Sequence, residues 1–129
     1  MKKFKVSKMD KTKVWYLASP YSHKNSDIME KRYAEVSDVA AQLILAGLIL
    51  IEPIAMCHHK SLKYQLPTGY EYWKTRDRTF IERSDGVIVL LIPGWKESVG
   101  VTDEIAYAKS LGKPVLGVKS DNVEVLIEL

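Results

Sequence analysis

The sequence predicts an α/β domain built on a parallel sheet, and three observations predict it. Short apolar runs of strand length recur along the chain, stretches with helical period separate them, and glycine or proline closes most of them. The central run lacks polar alternation, as expected of a strand covered on both faces.

Taken in order, Val14–Ala18 (VWYLA) is a strand, and Ser19-Pro20 turns the chain. Ser26 or Asp27 is placed to cap the next helix, with Asp27 and Glu30 at capping-box spacing. Met29, Tyr33, Val36, Ala40 and Leu43 continue as an apolar helical stripe that Gly47 ends. Leu48–Ile51 is a second strand, closed by Pro53, and residues 55–69 read as a long loop. Tyr70–Arg83 reads as a helix, and Val87–Ile92 (VIVLLI) as the central strand, broken by Pro93-Gly94. A further helix runs from near Val101 to Gly112, and Pro114–Val118 is the fourth strand. Residues 120–129 fit either a short helix or an edge strand. This alternation implies right-handed crossovers in one Rossmann-like (flavodoxin-like) domain, with four to five parallel strands flanked by helices. Ligands of such sheets sit beyond the strands' carboxyl ends. Here those ends are the loops at 19–25, 52–69 and 93–100.

Composition narrows the function. The chain has 129 residues, 47% apolar and 27% charged, ordinary for one globular domain. No apolar run reaches the ~18 residues of a membrane span. The basic N-terminus is not followed by the apolar segment of a secretory signal. The net charge of +3 is unevenly placed: residues 1–13 carry +5 and the remainder −2. We therefore expect a basic, disordered tail at 1–13 and a domain at 14–129. The body has no basic stripe interleaved with aromatics, which argues against nucleic-acid binding. The single cysteine, Cys57, fits a reducing, cytoplasmic setting. Cys57-His58-His59 has no second ligand cluster at zinc spacing, so no metal or other cofactor is expected, and the segment reads as a loop edge or pocket wall.

Two carboxylates fall on faces that should be apolar. Tyr70, Trp73, Phe80 and Ile81 form one stripe, and the position completing it holds Asp77. Val101, Ile105, Ala108 and Leu111 form another, and Glu104 lies on it, whereas Asp103 points away. Burying a carboxylate is costly unless something there requires it. Each acid could be a structural ion pair, with Arg76, Arg78 or Arg83 as partners, and periodicity alone leaves that possibility at even weight. The alternative is chemical. A helix N-terminus favours an ionised Glu104, and a neighbouring anion raises the pKa of Asp77. A carboxylate nucleophile and a protonated acid are the pair a retaining glycosidase uses. In the loop before Glu104, Ser98 and Gly100 could present donors to a phosphate or sugar hydroxyl, a weak signal alone.

The segments Tyr16-Leu17-Ala18-Ser19-Pro20-Tyr21-Ser22, Asp77, Ser84-Asp85-Gly86, Ser98-x-Gly100-x-x-x-Glu104-Ile105-x-Tyr107-Ala108 and Leu111-Gly112-Lys113-Pro114-Val115 together resemble the nucleoside 2-deoxyribosyltransferase superfamily. Within it the chain most resembles the small bacterial and phage group DUF1937, over roughly residues 14–118. The resemblance implies an enzyme that cleaves or exchanges the N-glycosidic bond of a deoxynucleoside or its 5′-monophosphate. It implies Glu104 as nucleophile and Asp77 as acid/base partner. Ser98 stands where the monophosphate hydrolases of the superfamily place a phosphate-binding serine. Ser19, Tyr21, Ser22, Trp73, Ser98 and Gly100 are the expected substrate contacts, with Tyr21 and Trp73 as candidates to stack on a base. The first loop departs from the hydrolases, having Pro20 and Ser22 where they carry a serine and an arginine; His23, Lys24 and Arg32 are the side chains able to compensate. A homo-oligomer, dimer or tetramer, is implied by the resemblance alone. Two alternatives stay open: a non-catalytic nucleotide-binding sensor, and a phosphoribohydrolase-like enzyme. The latter's PGG-x-GT-x-x-E pattern is matched poorly by Ser98-Val99-Gly100-Val101.

Overall fold

The computed structural model describes residues 2–67 and 69–129; Met1 and Thr68 lie outside them. The elements are β1 (Lys3–Lys5), a 3-10 turn (Val6–Lys8), β2 (Val14–Ala18), α1 (Ser26–Leu45), β3 (Ile49–Ile51), α2 (Pro53–Tyr64), α3 (Tyr70–Arg83), β4 (Gly86–Leu90), α4 (Val99–Ser110), β5 (Val115–Lys119) and β6 (Asn122–Glu128). They form an α/β domain with one six-stranded sheet, ordered β1-β6-β5-β4-β2-β3.

The expected parallel strands are there: β3, β2, β4 and β5 pair in parallel. The sheet as a whole is mixed, because β6 and β1 add to it antiparallel. This corrects the expectation of a purely parallel sheet, and residues 120–129 resolve as a strand, lying one in from the edge because β1 covers it. It also corrects the expected tail. Residues 3–5 pair with β6, and Val6, 2% exposed, enters the core beside Trp15 and Leu126. Counting lysines hid this: β1 keeps its side chains in solvent while its backbone completes the ladder and one valine anchors it. Lys11 then folds back to donate to the carbonyls of Val6 and Met9.

Alternation along the strands divides the core into two layers. Leu17, Ile88, Leu90 and Leu116 face α1, where Val36, Val39, Ala40 and Leu43 are buried. Tyr16, Ala18, Val87, Val89 and Val115 face the opposite way, onto Ile81 of α3 and Val101 and Ala108 of α4. The α1 stripe therefore stands as read, but its cap is Asn25, whose side chain accepts from the Asp27 amide. Glu30 is not part of a capping box and instead meets His58. Gly47 adopts a left-handed φ of 99° just past the C-cap, a conformation that glycine takes at little cost.

The predicted loop at 55–69 is largely α2. Pro53 does not merely close a strand; it occupies the first helical position, where its missing N–H costs nothing. The helix ends at Gln65 in the left-handed region. Leu111 is 41% exposed at the C-cap of α4 and does not belong to the buried stripe. Lys113 closes the other end of this layer: its ammonium donates to the carbonyls of Ile81, Glu82 and Ser84 at the C-terminus of α3, at 2.8, 2.6 and 2.6 Å. Among the described residues no helix is long and apolar enough to cross a membrane.

Candidate active site

From β2 the chain passes through α1 to β3 on one side, and then crosses to β4 on the other. The carboxyl ends of β2 and β4 therefore border a topological switch point, where open α/β sheets leave a crevice. A cavity of about 780 Å³ lies there. Its walls come from the end of β2 and the loop after it, from α2 and α3, and from the segment 94–104 that leads into α4.

Asp77 and Glu104 meet in this cavity. They are 8% and 5% exposed, so the faces that looked anomalous in sequence are buried faces. The two carboxyl groups are electrostatically coupled, each shifting the other's pKa. Tyr16, from the middle of β2, donates its hydroxyl to Glu104 Oε2 at 2.6 Å and also acts to lower the Asp77 pKa. Strand parity explains this, since Tyr16 points to the α3/α4 layer while Trp15 and Leu17 point to α1. Asp77 Oδ1 is buried and finds no hydrogen-bond donor among the described residues.

Burial governs the charges. It drives the Asp77 pKa from 3.8 to about 6, against the opposing effects of hydrogen bonding to Glu104, the positive charge of Arg76 and the Tyr16 hydroxyl. Burial also drives Glu104 well above the usual carboxylate range; the Tyr16 hydrogen bond opposes this, and the neighbouring Asp77 adds to it. Both shifts favour keeping a proton within the pair, and the titration belongs to the pair rather than to either residue. This departs from the expectation that the helix N-terminus keeps Glu104 ionised. Glu104 is the sixth residue of α4, beyond the first turn where the dipole acts. Asp77 does rise, as expected, but through burial, and the neighbouring Glu104 acts in the opposite direction.

Two of the three arginines considered as ion-pair partners, Arg76 and Arg78, are engaged elsewhere. Arg78 pairs with Asp103 at 2.6 Å, and Tyr70 donates to the same carboxylate at 2.7 Å. Asp103 is therefore a tie between α3 and α4 rather than a free surface charge. Arg76 lies over the rings of Trp73 and Phe80 and donates to Cys57 Sγ at 2.8 Å.

All the expected substrate contacts line the cavity. Ser19 is buried and donates to the Pro20 carbonyl. Tyr21 shares a 2.7 Å hydrogen bond with His58 Nδ1. The Ser22 carbonyl accepts from Arg32. Trp73 Nε1 donates to the Pro67 carbonyl at 2.7 Å, which fixes the indole at the rim. Ser98 is the N-cap of α4, accepting from the Val101 amide at 3.2 Å. At Gly100 a Cβ would stand 3.1 Å from the Tyr70 ring, so this glycine serves helix packing. Cys57 and His58 do form pocket wall, from a helix rather than a loop.

Sequence reasoning missed Tyr16, whose signal was available: a hydroxyl-bearing ring on a central strand, with the parity of the layer holding both acids. It also missed the roles of Arg76 and His58, for which the residues offered no sign because α2 was read as loop. Arg32 was only one of three cations considered; it lines the cavity, bonds the Tyr21 and Ser22 carbonyls and packs against Gly94. Among the described residues no group of three or more His, Cys, Asp or Glu side chains is placed to hold a metal ion.

A protein-family model described as "Domain of unknown function (DUF1937)" matches residues 13–120. No curated protein matches the chain.

Proposed function

The chain belongs to the DUF1937 family, and we propose that it cleaves, or exchanges the base across, the N-glycosidic bond of a deoxynucleoside or its 5′-monophosphate. The observation that carries this reading is the buried Asp77–Glu104 pair, with Tyr16 on Glu104, inside a cavity at the sheet's switch point. The likeness of the motifs to the nucleoside 2-deoxyribosyltransferase superfamily supports it as well.

In the proposed reaction the shared proton resides on Asp77 and Glu104 is the carboxylate, stabilised by the Tyr16 hydroxyl. A Glu104 oxygen attacks the anomeric carbon. The carbon–nitrogen bond breaks with its electron pair on the base, and Asp77 delivers its proton to the leaving nitrogen. The product is a glycosyl ester on Glu104. Water, or a second base, then attacks the same carbon, gives its proton to Asp77 and releases Glu104 as the carboxylate. Two substitutions at one carbon retain configuration. A cavity of about 780 Å³ is ample for a nucleotide. For a 5′-phosphate, the groups offered are Arg32 and the Ser98–Gly100 start of α4. Assembly into a homo-oligomer, confinement to the cytoplasm and independence from a cofactor belong to the same reading, and sedimentation tests the first.

The test is release of free base from a panel of deoxynucleosides and their monophosphates, modified bases included. Glu104→Ala is expected to abolish release with the fold retained, and absence of release from the whole panel with wild-type protein refutes the reading. One observation favours a non-catalytic binding module instead: burial holds Glu104 towards its neutral, non-nucleophilic form. On that alternative Glu104→Gln leaves nucleotide affinity unchanged and no ligand turns over.

A further inference from the structure

The part of the cavity wall formed by α2 and the loop after β2 carries a second polar chain that the proposed reaction does not use. His58, on α2, is 2% exposed, and both of its ring nitrogens are engaged. Its Nε2 lies 2.8 Å from Glu30 Oε2, on α1, and Glu30 is 59% exposed. Its Nδ1 lies 2.7 Å from the Tyr21 hydroxyl, and Tyr21 lines the cavity. Tyr33 stacks on the imidazole with ring centroids 3.9 Å apart and also bonds His59, which fixes the plane of the ring. A buried imidazole held this way, with a carboxylate on one nitrogen and a cavity phenol on the other, is costly to assemble unless the phenol's orientation matters.

We propose that Tyr21 is a specificity residue of the cavity, that His58 and Glu30 are its positioning residues, and that together they present an oxygen which accepts a hydrogen bond from a pentose hydroxyl. With a single N–H on the imidazole, the Glu30 carboxylate, which can only accept, places that N–H on Nε2. Nδ1 is then an acceptor and takes the Tyr21 hydroxyl hydrogen. The lone pairs of the Tyr21 oxygen are left for the ligand. An oxygen with no hydrogen to give, backed by a carboxylate, selects a hydroxyl and disfavours a phosphate at the same point. The pentose is the part of the ligand assigned to Tyr21, which follows the strand whose Tyr16 holds Glu104 and lines the same cavity as both. This step rests on the nucleoside reading above for the identity of the ligand, and on the geometry alone for the hydrogen-bond direction.

Two measurements test it. Imidazole nitrogen NMR of the free protein is expected to show His58 with its hydrogen on Nε2, and Tyr21→Phe to move the Nδ1 resonance towards that of an unbonded acceptor. Binding of 2′-deoxynucleosides and their 2′,3′-dideoxy counterparts is then compared in a Glu104→Gln background, where no turnover intervenes. Loss of the 3′-hydroxyl is expected to weaken binding about tenfold, and by no more than about twofold once Tyr21→Phe is added. Glu30→Gln, whose amide oxygen still accepts from Nε2, is expected to keep the discrimination, and Glu30→Leu to reduce it. A His58 hydrogen on Nδ1, an equal dideoxy penalty with and without the Tyr21 hydroxyl, or no binding of any of these probes overturns the proposal. Discrimination without base release from wild-type protein refutes the catalytic reading and leaves this one standing.

Discussion

Asp77→Asn is expected to make the protein more stable above neutral pH while ending its chemistry. The reasoning begins with the Asp77 pKa, raised from 3.8 to about 6 chiefly by burial. A carboxyl group whose folded-state pKa is raised binds its proton more tightly when folded. Its contribution to stability is therefore full below the unfolded value and is lost as pH rises through the folded one. For a shift of this size the loss between about pH 4.5 and 7.5 is about 2 kcal/mol for Asp77 alone. Asparagine has no proton to lose. Its amide can also donate to Glu104, in a place where Asp77 Oδ1 now finds no donor. The stability difference between variant and wild type should therefore move in the variant's favour by about 2 kcal/mol across that range. Urea unfolding at intervals of half a pH unit measures it, and the difference cancels other titrating groups such as Asp103, whose lowered pKa acts in the opposite direction. A difference that stays flat with pH, or that grows in favour of wild type towards pH 7.5, refutes the account of the pair as a buried, proton-sharing unit.

Other perturbations follow from the same geometry. Tyr16→Phe keeps the buried ring but removes the donor on Glu104; base release should fall about 10- to 100-fold, with the acid limb of its pH profile moved to higher pH. Lys113→Met leaves three carbonyls at the end of α3 without their ammonium and should cost about 2 kcal/mol in urea unfolding at neutral pH. Gly86→Ala puts a Cβ 2.5 Å from the Trp15 ring and 2.9 Å from the Pro114 carbonyl oxygen; the resulting overpacking should cost about 2–3 kcal/mol, seen as a lowered Tm.

The parallel core was legible because its strands are short apolar runs bounded by proline or glycine, and Val14–Ala18 is recovered residue for residue. The two acids were legible for the complementary reason: each broke a pattern that its helix otherwise kept. What escaped was whatever depends on partners distant in sequence. Charge along 1–13 gave no warning that β6 offers an open edge for residues 3–5. Pro53 is both a strand stop and a helix start, and only the packing of α2 on α1 decides between them. The protonation of Glu104 was misjudged because helix position is visible in sequence and burial is not; here burial outweighs the dipole.

The buried pair poses one apparent contradiction for catalysis, since a nucleophile must be ionised and burial opposes ionisation. The arrangement of donors resolves it. In the free site burial favours keeping a proton within the pair, and Glu104 alone has a short hydrogen bond from the Tyr16 hydroxyl. Asp77 Oδ1 has no donor among the described residues, so the Asp77 anion is the less well solvated of the two by protein groups. In the proposed complex a base nitrogen beside Asp77 supplies an acceptor, and an acceptor there favours the arrangement with the proton on Asp77. The charge this leaves behind falls on Glu104, where Tyr16 already points. Neither acid has to ionise into bulk water, and the pair's net charge is unchanged. The burial that raises both pKa values then serves the reaction, because it keeps the proton inside the pair until the substrate decides which carboxylate carries it.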